Sequence, residues 1–270
     1  MRGFSLLELS VVIVVIGLLT GGVVASQSIS ESAKLRRVIE DVDVYKKAVI
    51  AFKDQYEAYP GDFARATEIW GIAGGTGNDS TCYTTDASAT ANPKATCNGN
   101  GDNIIEAPIP GAAGGYSNIW FAAERYRGWQ HLANSGMISG RYNGIATGGG
   151  AGYHTAGVNA PRGPAEGFYQ LGGFMYARTG GGDWFYEDPL YNWISFNSAS
   201  QGLIPDFDAL TFYKIDAKID DGKPGTGKVF ATQSTASWQP NCTTTTNPFT
   251  AEYNVTSKQK LCLALYFKLL

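Results

Sequence analysis

Three aspartates crowd one short stretch of the chain and could bind a divalent cation. Asp216, Asp220 and Asp221 fall in the C-terminal turns of a predicted helix, where the helix dipole disfavours each anion by up to about 1 kcal/mol. Asp216 and Asp220 are also an i, i+4 pair of like charge. Calcium, which prefers several oxygen ligands, would relieve this repulsion. The alternative is a solvated acidic turn compensated by Lys218 and Lys223.

A second run of oxygen-bearing side chains lies in the segment NGNGDNIIE at 98–106. Asn98, Asn100 and Asp102 alternate as the first ligands of an EF-hand loop do. The glycine expected at the sixth position and the glutamate expected at the twelfth are absent, since Ile109 occupies the latter. Calcium is therefore the one cofactor that the sequence suggests, at either of two places.

Residues typical of catalysis are few. The two histidines, His131 and His154, stand at no recognisable motif spacing from a cysteine, serine or aspartate. The segment GKPGTGKV at 222–229 nearly matches a phosphate-binding loop, but Val229 replaces the hydroxyl that would bind Mg²⁺. We therefore expect no enzymatic activity. A membrane-anchored enzyme, in which either histidine meets a nucleophile in space, is an alternative.

Glu8 is the one charged residue in the otherwise apolar stretch 4–26. This stretch has the length of a membrane-spanning helix, which needs about 20 residues. A secretory signal peptide fits poorly, because Arg2 is the whole basic region and no small-residue cleavage site follows cleanly. A plain membrane anchor leaves Glu8 unexplained, since ionisable residues in such segments usually have a partner or a function.

The N-terminal sequence resembles the class III signal of type IV pilins and type II secretion pseudopilins. The resemblance rests on Arg2, Gly3 and Phe4, on Glu8 at fixed spacing, and on the apolar run that follows. It implies that residues 1–3 are a leader, that prepilin peptidase cuts between Gly3 and Phe4, and that the new Phe4 amine is methylated. It also implies that Glu8 pairs with the Phe4 amine of a neighbouring subunit during assembly.

The resemblance also implies a function, a location and partners. We expect a structural pilin or pseudopilin subunit, minor or accessory, of a type IV pilus or type II secretion filament. It would cross the bacterial inner membrane once, with a periplasmic C-terminal domain, and then enter a periplasmic or extracellular filament. Its expected partners are other pilin or pseudopilin subunits, prepilin peptidase and the inner-membrane assembly platform. An adhesin or glycan-binding module carried on a pilus is the alternative.

Beyond the apolar stretch, the pattern of the chain predicts that one long helix continues. Apolar residues recur at alternating steps of three and four, which indicates an amphipathic helix; they are Leu35, Val38, Val42, Tyr45, Val49, Phe52 and Tyr56. We expect a helix from 4 to 58, with a membrane half at 4–26 and an amphipathic half at 27–58. The stripe fits packing on a sheet of the same chain, or a coiled-coil dimer.

Residues 59–270 are expected to form a globular domain, so that the fold class is α+β and pilin-like, with the helix packed on an antiparallel sheet. Short strands are predicted at 168–177, 193–197, 229–232 and 261–268, and further helices at 118–135 and from Ile204 to a stop at Gly222. Residues 63–115 are predicted to be irregular. The net charge of −3 gives no basic surface for nucleic acid.

Four cysteines allow three pairings, and none forms a CxxC motif. The local pairing joins Cys82 to Cys97 and Cys242 to Cys262, and each bridge would contribute about 3 kcal/mol by restricting the unfolded chain. Paired cysteines indicate an oxidising compartment, whereas four reduced, buried thiols would indicate a cytosolic protein. We expect disulfide-stapled loops.

Overall fold

A computed structural model describes residues 5–73, 92–105, 124–145, 154–173, 192–197, 207–231, 242–245, 247 and 249–269. Within these residues the fold is α+β, with one long N-terminal helix and an antiparallel sheet. The elements in chain order are α1 (Leu6–Tyr56), α2 (Ala66–Trp70), α3 (Glu124–Asn134), β1 (Phe168–Gly172), β2 (Trp193–Asn197), β3 (Phe207–Asp208), α4 (Ala209–Ile219), β4 (Val229–Ala231), β5 (Lys260–Cys262) and β6 (Ala264–Lys268).

Helix α1 runs without a break for 51 residues, close to the range predicted from the sequence. Ser5 caps its N-terminus, and Glu57 ends it in a left-handed conformation (φ 55°) whose backbone N–H donates to the Lys53 carbonyl. Left-handed residues commonly terminate helices in this way because they satisfy an otherwise unpaired carbonyl. Pro60 follows three residues later and could not continue the helix.

The predicted stripe on the outer half of α1 is the face that enters the core. All seven stripe residues are buried or half-buried, and Phe52 is completely covered. The face packs on α3, α4 and β2, and the Tyr169 hydroxyl of β1 donates to the Asp41 carboxylate of α1 at 2.9 Å. Packing on a sheet of the same chain is therefore confirmed.

The main sheet has four antiparallel strands in the order β1-β2-β6-β4. Strand β2, one of the two inner strands, is buried at every residue, with Trp193 opposite Lys268 on β6 and Asn197 opposite Phe168 on β1. The predicted strands at 193–197 and 229–232 appear with nearly the expected bounds, and the first part of the strand predicted at 168–177 is β1. The expectation of an antiparallel sheet is confirmed.

The strand predicted at 261–268 is wrong in one respect, because it is two strands in two sheets. Strand β5 pairs with β3, whereas β6 pairs with β2 and β4. The chain leaves one sheet and enters the other at Leu263, which is itself buried. A continuous apolar run therefore concealed the break.

Helix α4 begins later than predicted. Its N-cap is Asp208, whose carboxylate accepts the Thr211 N–H at 2.7 Å, and Phe207 before it pairs with Cys262 in the small sheet. Residues 204–206 lie outside the described residues. Phe212 and Ile215 are buried on the predicted face.

Two helical details also differ from expectation. Helix α2 lies in the segment 63–115 that was predicted to be irregular. Helix α3 occupies the described part of the helix predicted at 118–135, but it is buried almost all round, including Glu124, Arg127, Gln130 and His131. Glu124 Oε1 accepts the Asn100 N–H at 2.9 Å, and Arg127 Nη1 donates to Gln130 Oε1 at 2.9 Å. Because hydrogen bonds hold these polar side chains, an amphipathic pattern did not reveal their burial.

Candidate functional site: the membrane-length half of α1 and the acidic turn

Glu8 forms a reciprocal cap with Ser5 at the start of α1. The Ser5 backbone N–H donates to Glu8 Oε2 at 2.8 Å, and the Glu8 N–H donates to Ser5 Oγ at 3.2 Å. This is a capping box, which satisfies two of the helix-end donors. Gly3 and Phe4 lie outside the described residues. The Glu8 carboxylate thus has a local neutral donor, but the structure describes no cation beside it.

The first half of α1 exposes apolar side chains all round. Between Leu6 and Val23 these side chains are 47–87% exposed, and none of the most apolar window is buried inside the protein. Such a segment is long and apolar enough to cross a membrane. Among the described side chains, Leu35 is the first in α1 that is not exposed. The helix therefore divides into an uncovered apolar half and a half embedded in the core.

Asp216, Asp220 and Asp221 come together, as the sequence predicted. Each offers a carboxylate oxygen within 4.8 Å of the others, and they are the one such group of acidic, histidine or cysteine side chains in the described part of the chain. The turn that follows α4 supplies hydrogen-bond donors to two of them. The Lys228 and Val229 N–H groups donate to Asp220 Oδ2, and the Thr226 hydroxyl donates to Asp221 Oδ2 at 2.6 Å.

Asp216 is the buried member of this acidic turn. Its carboxylate accepts the Tyr253 hydroxyl at 2.8 Å and the Gly222 N–H at 3.2 Å. Burial raises the pKa of Asp216 to about 7, and the neighbouring Asp221 and Asp220 add to the rise. A carboxylate in this state is stabilised by a proton or by a cation. Three converging carboxylates fit the oxygen chemistry of calcium, so the calcium interpretation stays a prediction here.

The segment GKPGTGKV forms this same turn, with helix α4 before it and strand β4 after it. Gly222 and Gly227 both have positive φ (74° and 78°), and a Cβ at Gly227 would strike the Asp220 carboxylate. A phosphate-binding loop instead follows a strand and precedes a helix. Gly222 and Gly227 therefore allow the backbone conformation and the close approach that the acidic turn requires.

The side-chain oxygens of Asn98, Asn100 and Asp102 accept hydrogen bonds from backbone N–H groups. Asn98 Oδ1 accepts the Thr67 N–H at 2.8 Å, and Asp102 Oδ1 accepts the Ile104 N–H at 2.9 Å. The centre of this loop is Asp62, which the sequence did not single out. Its carboxylate accepts backbone N–H groups of residues 101, 102 and 103 at 2.6–3.0 Å. The oxygens at 98–102 therefore have partners without a cation, and calcium binding there stays an untested prediction.

His131 lies at the centre of a closed hydrogen-bond network. Its Nδ1 accepts the Gly61 N–H at 3.0 Å, and its Nε2 lies 3.0 Å from the Thr96 hydroxyl oxygen and 3.2 Å from the Cys97 carbonyl. Thr96 in turn donates to Gln130 Oε1 at 2.7 Å. Burial lowers the pKa of His131 to about 3, so the ring is neutral. The network ties α3 to two loops, which is a structural role.

His154 is also buried, and it stacks on Phe168 with ring centroids 5.1 Å apart. Burial holds its pKa well below its ordinary value. In the described residues, no hydrogen-bonded pair of either histidine with a serine or cysteine side chain is found. The histidines thus contribute to the core, as do the buried tryptophans Trp70, Trp129 and Trp193.

A disulfide joins Cys242 to Cys262, as the local pairing predicted. It connects the described segment that begins at Cys242 to the end of β5, across 20 residues of chain. Cys97 is buried, but Cys82 lies outside the described residues, so their pairing stays a prediction.

Comparison of the chain with protein-family models, with curated proteins and with solved structures finds no match.

Proposed function

We propose that this chain is a membrane-anchored structural subunit of a filament of the type IV pilin or type II secretion pseudopilin kind. The observation that carries the proposal is the division of α1 into an exposed apolar half and a half embedded in a disulfide-bonded α+β domain. This domain, here called the head, consists of the outer half of α1 from Leu35 and the described residues that follow it. An apolar surface of this size is stable only in a bilayer or against other apolar helices. Such a helix serves both places, first as an anchor and then in a filament core.

Glu8 supplies the specificity of assembly in this proposal. In the separate subunit its carboxylate accepts the Ser5 N–H, which lowers the cost of placing it at the membrane but leaves its charge uncompensated. In the filament, the amine of Phe4 on the adjacent subunit neutralises it. Prepilin peptidase cuts after Gly3 to create that amine. Neighbouring subunits and an inner-membrane assembly platform are the partners of this step.

The first experiment is mass spectrometry of the N-terminus of the membrane-extracted protein. An N-methylated Phe4 as the first residue is expected. A chain that still begins at Met1, or one trimmed far beyond Phe4 so that the apolar half of α1 is lost, would contradict the proposal.

Two variants separate the charge of Glu8 from its role as a cap. Glu8→Gln keeps the capping-box hydrogen bond, since glutamine also serves at that position, but removes the charge. Ser5→Ala removes the cap and keeps the charge. We expect Glu8→Gln to be inserted and processed but absent from filaments, and Ser5→Ala to assemble. Equal assembly of both variants, measured by filament pull-down and electron microscopy, would refute charge pairing.

A further inference from the structure

A pocket of about 250 Å³ opens where α1 first meets the head. Leu35 of α1, Phe207 of β3 and Ile215 of α4 provide apolar walls. Three lysines from three different elements line it as well: Lys34, Lys214 and Lys260. The pocket thus combines apolar walls with several positive charges.

The depth of this pocket relative to a membrane follows from the sequence of α1. Residues 9–30 carry no charged side chain, and at 1.5 Å per residue they span about 33 Å, close to the hydrocarbon thickness of about 30 Å. Glu31 is the first charge beyond this span, and Lys34 lies one helical turn further on. When this uncharged span crosses a bilayer, the pocket therefore lies in the headgroup layer.

The charges around the pocket favour an anion. Among the described residues, Lys34 and Lys214 take part in no ion pair. The pocket also contains Asp208, but both oxygens of that carboxylate are engaged at the N-terminus of α4, one with the Thr211 N–H and one with its hydroxyl. Glu31 is the other acid at the rim. The pocket is thus lined by three lysines and two acids, and the charge of one acid, Asp208, is already stabilised at the N-terminus of α4.

We propose that this pocket binds the headgroup of an anionic phospholipid from the leaflet next to the head. The lysines contact the phosphate, and the apolar walls cover the glycerol and the first carbons of the acyl chains. Lysines near a membrane surface each contribute about 1 kcal/mol of attraction to anionic lipid, and their long side chains reach the interface while the stems lie on apolar surface. This inference rests on membrane anchoring by α1, not on filament assembly.

The test uses the full chain in two sets of vesicles, one of phosphatidylcholine alone and one of phosphatidylcholine mixed with phosphatidylglycerol. The protein is extracted gently and its retained lipid is identified by native mass spectrometry. We expect selective retention of phosphatidylglycerol. Lys34→Gln or Lys214→Gln should weaken retention about fivefold, and the double variant about thirtyfold, as about 1 kcal/mol for each lysine implies. Lys47→Gln, further along α1, is the matched control and should retain wild-type lipid.

Three results would overturn the inference. The first is retention of phosphatidylglycerol by the double variant at the wild-type level. The second is displacement of the lipid by millimolar inorganic phosphate, which would show a site for a free anion. The third is retention of phosphatidylcholine and phosphatidylglycerol in the proportions in which the mixed vesicles contain them. Failure to float with either set would instead contradict membrane anchoring itself, and the inference with it.

Discussion

The buried ring of His131 shows how a single side chain can connect several segments of the head. Its Nδ1 accepts a hydrogen bond from the Gly61 N–H, and its Nε2 faces the segment of Thr96 and Cys97. The ring also stacks on Phe52 of α1, with ring centroids 6.3 Å apart. A charged imidazolium could no longer accept the Gly61 N–H. The neutrality of His131 is therefore a condition for this packing.

This condition predicts a specific pH dependence. Because the folded pKa of His131 is about 3 and the ordinary value is 6.5, the unfolded chain binds one more proton between these values. The free energy of unfolding should therefore fall as the pH is lowered from about 6.5 towards 3, by at most about 1.4 kcal/mol per pH unit. When the free energy of unfolding is measured by denaturant titration at several pH values, His131→Gln should lose this part of its pH dependence. The same pH dependence in the variant as in the wild type would exclude His131 as its source.

The contribution of Asp216 to the free energy of unfolding should depend on pH in the opposite direction. Its folded pKa, about 7, lies above its ordinary 3.8, so the folded chain binds the proton more tightly. The stability contributed by this group is complete below pH 3.8 and is lost as the pH rises towards 7. Asp216→Asn should remove this loss, which the same titrations would measure.

If the acidic turn binds calcium, the ion should restore the stability that ionisation of Asp216 removes above pH 7. We expect millimolar Ca²⁺ to raise the melting temperature of the wild type and not that of Asp216→Asn, since ligand binding stabilises the folded state alone. Asp43→Asn, whose exposed carboxylate pairs with Lys47, is the control and should respond as the wild type does. Identical melting curves with calcium and with chelator would exclude the calcium site.

At the scale of the elements, the outer half of α1 is the part of the helix that the head depends on. Phe52 is completely buried and contacts the rings of Tyr56, Phe63 and Trp70. Phe52→Ala should cost about 3–5 kcal/mol of unfolding free energy, as is usual for a phenylalanine in a core. Ile50→Ala, at a position 38% exposed, should cost less than about 1 kcal/mol. Similar losses in both variants would mean that the stripe is not the packing face.

The sequence predicted those elements whose periodicity is strong. The stripe from Leu35 to Tyr56 and the strand at 193–197 were found because one burial pattern runs through each of them. The break at Leu263 was missed because both flanking strands are apolar, and Asp62 was missed because its partners are backbone N–H groups. The acidic turn was predicted because its three aspartates are close in sequence. The buried polar face of α3 depends on loops distant along the chain, which a local pattern does not reveal.

At the scale of the whole molecule, the head should be independent of the apolar half of α1. Among its described side chains that half contributes no burial, since Leu35 is the first of them that is covered. A chain that begins at residue 31 should therefore keep its unfolding free energy within about 1 kcal/mol, allowing for the lost cap, and should no longer enter membranes. Chemical denaturation and vesicle flotation would measure the two properties.

A longer truncation provides the comparison. A chain that begins at residue 44 loses the buried Val38 and Val42 and should be destabilised by about 3 kcal/mol or more. If the chain that begins at residue 31 is destabilised to the same extent, the membrane half of α1 must support the head.

The strand order of the sheet has a consequence for biogenesis. Strands β2 and β4 are not neighbours, because β6 lies between them and pairs with both. A chain that folds from its N-terminus therefore presents two open strand edges until the segment 264–268 has joined them. Open edges favour pairing with other chains, so an incomplete chain is most vulnerable to aggregation during this interval. The bridge between Cys242 and Cys262 can form only shortly before this segment appears, because Cys262 lies two residues ahead of it.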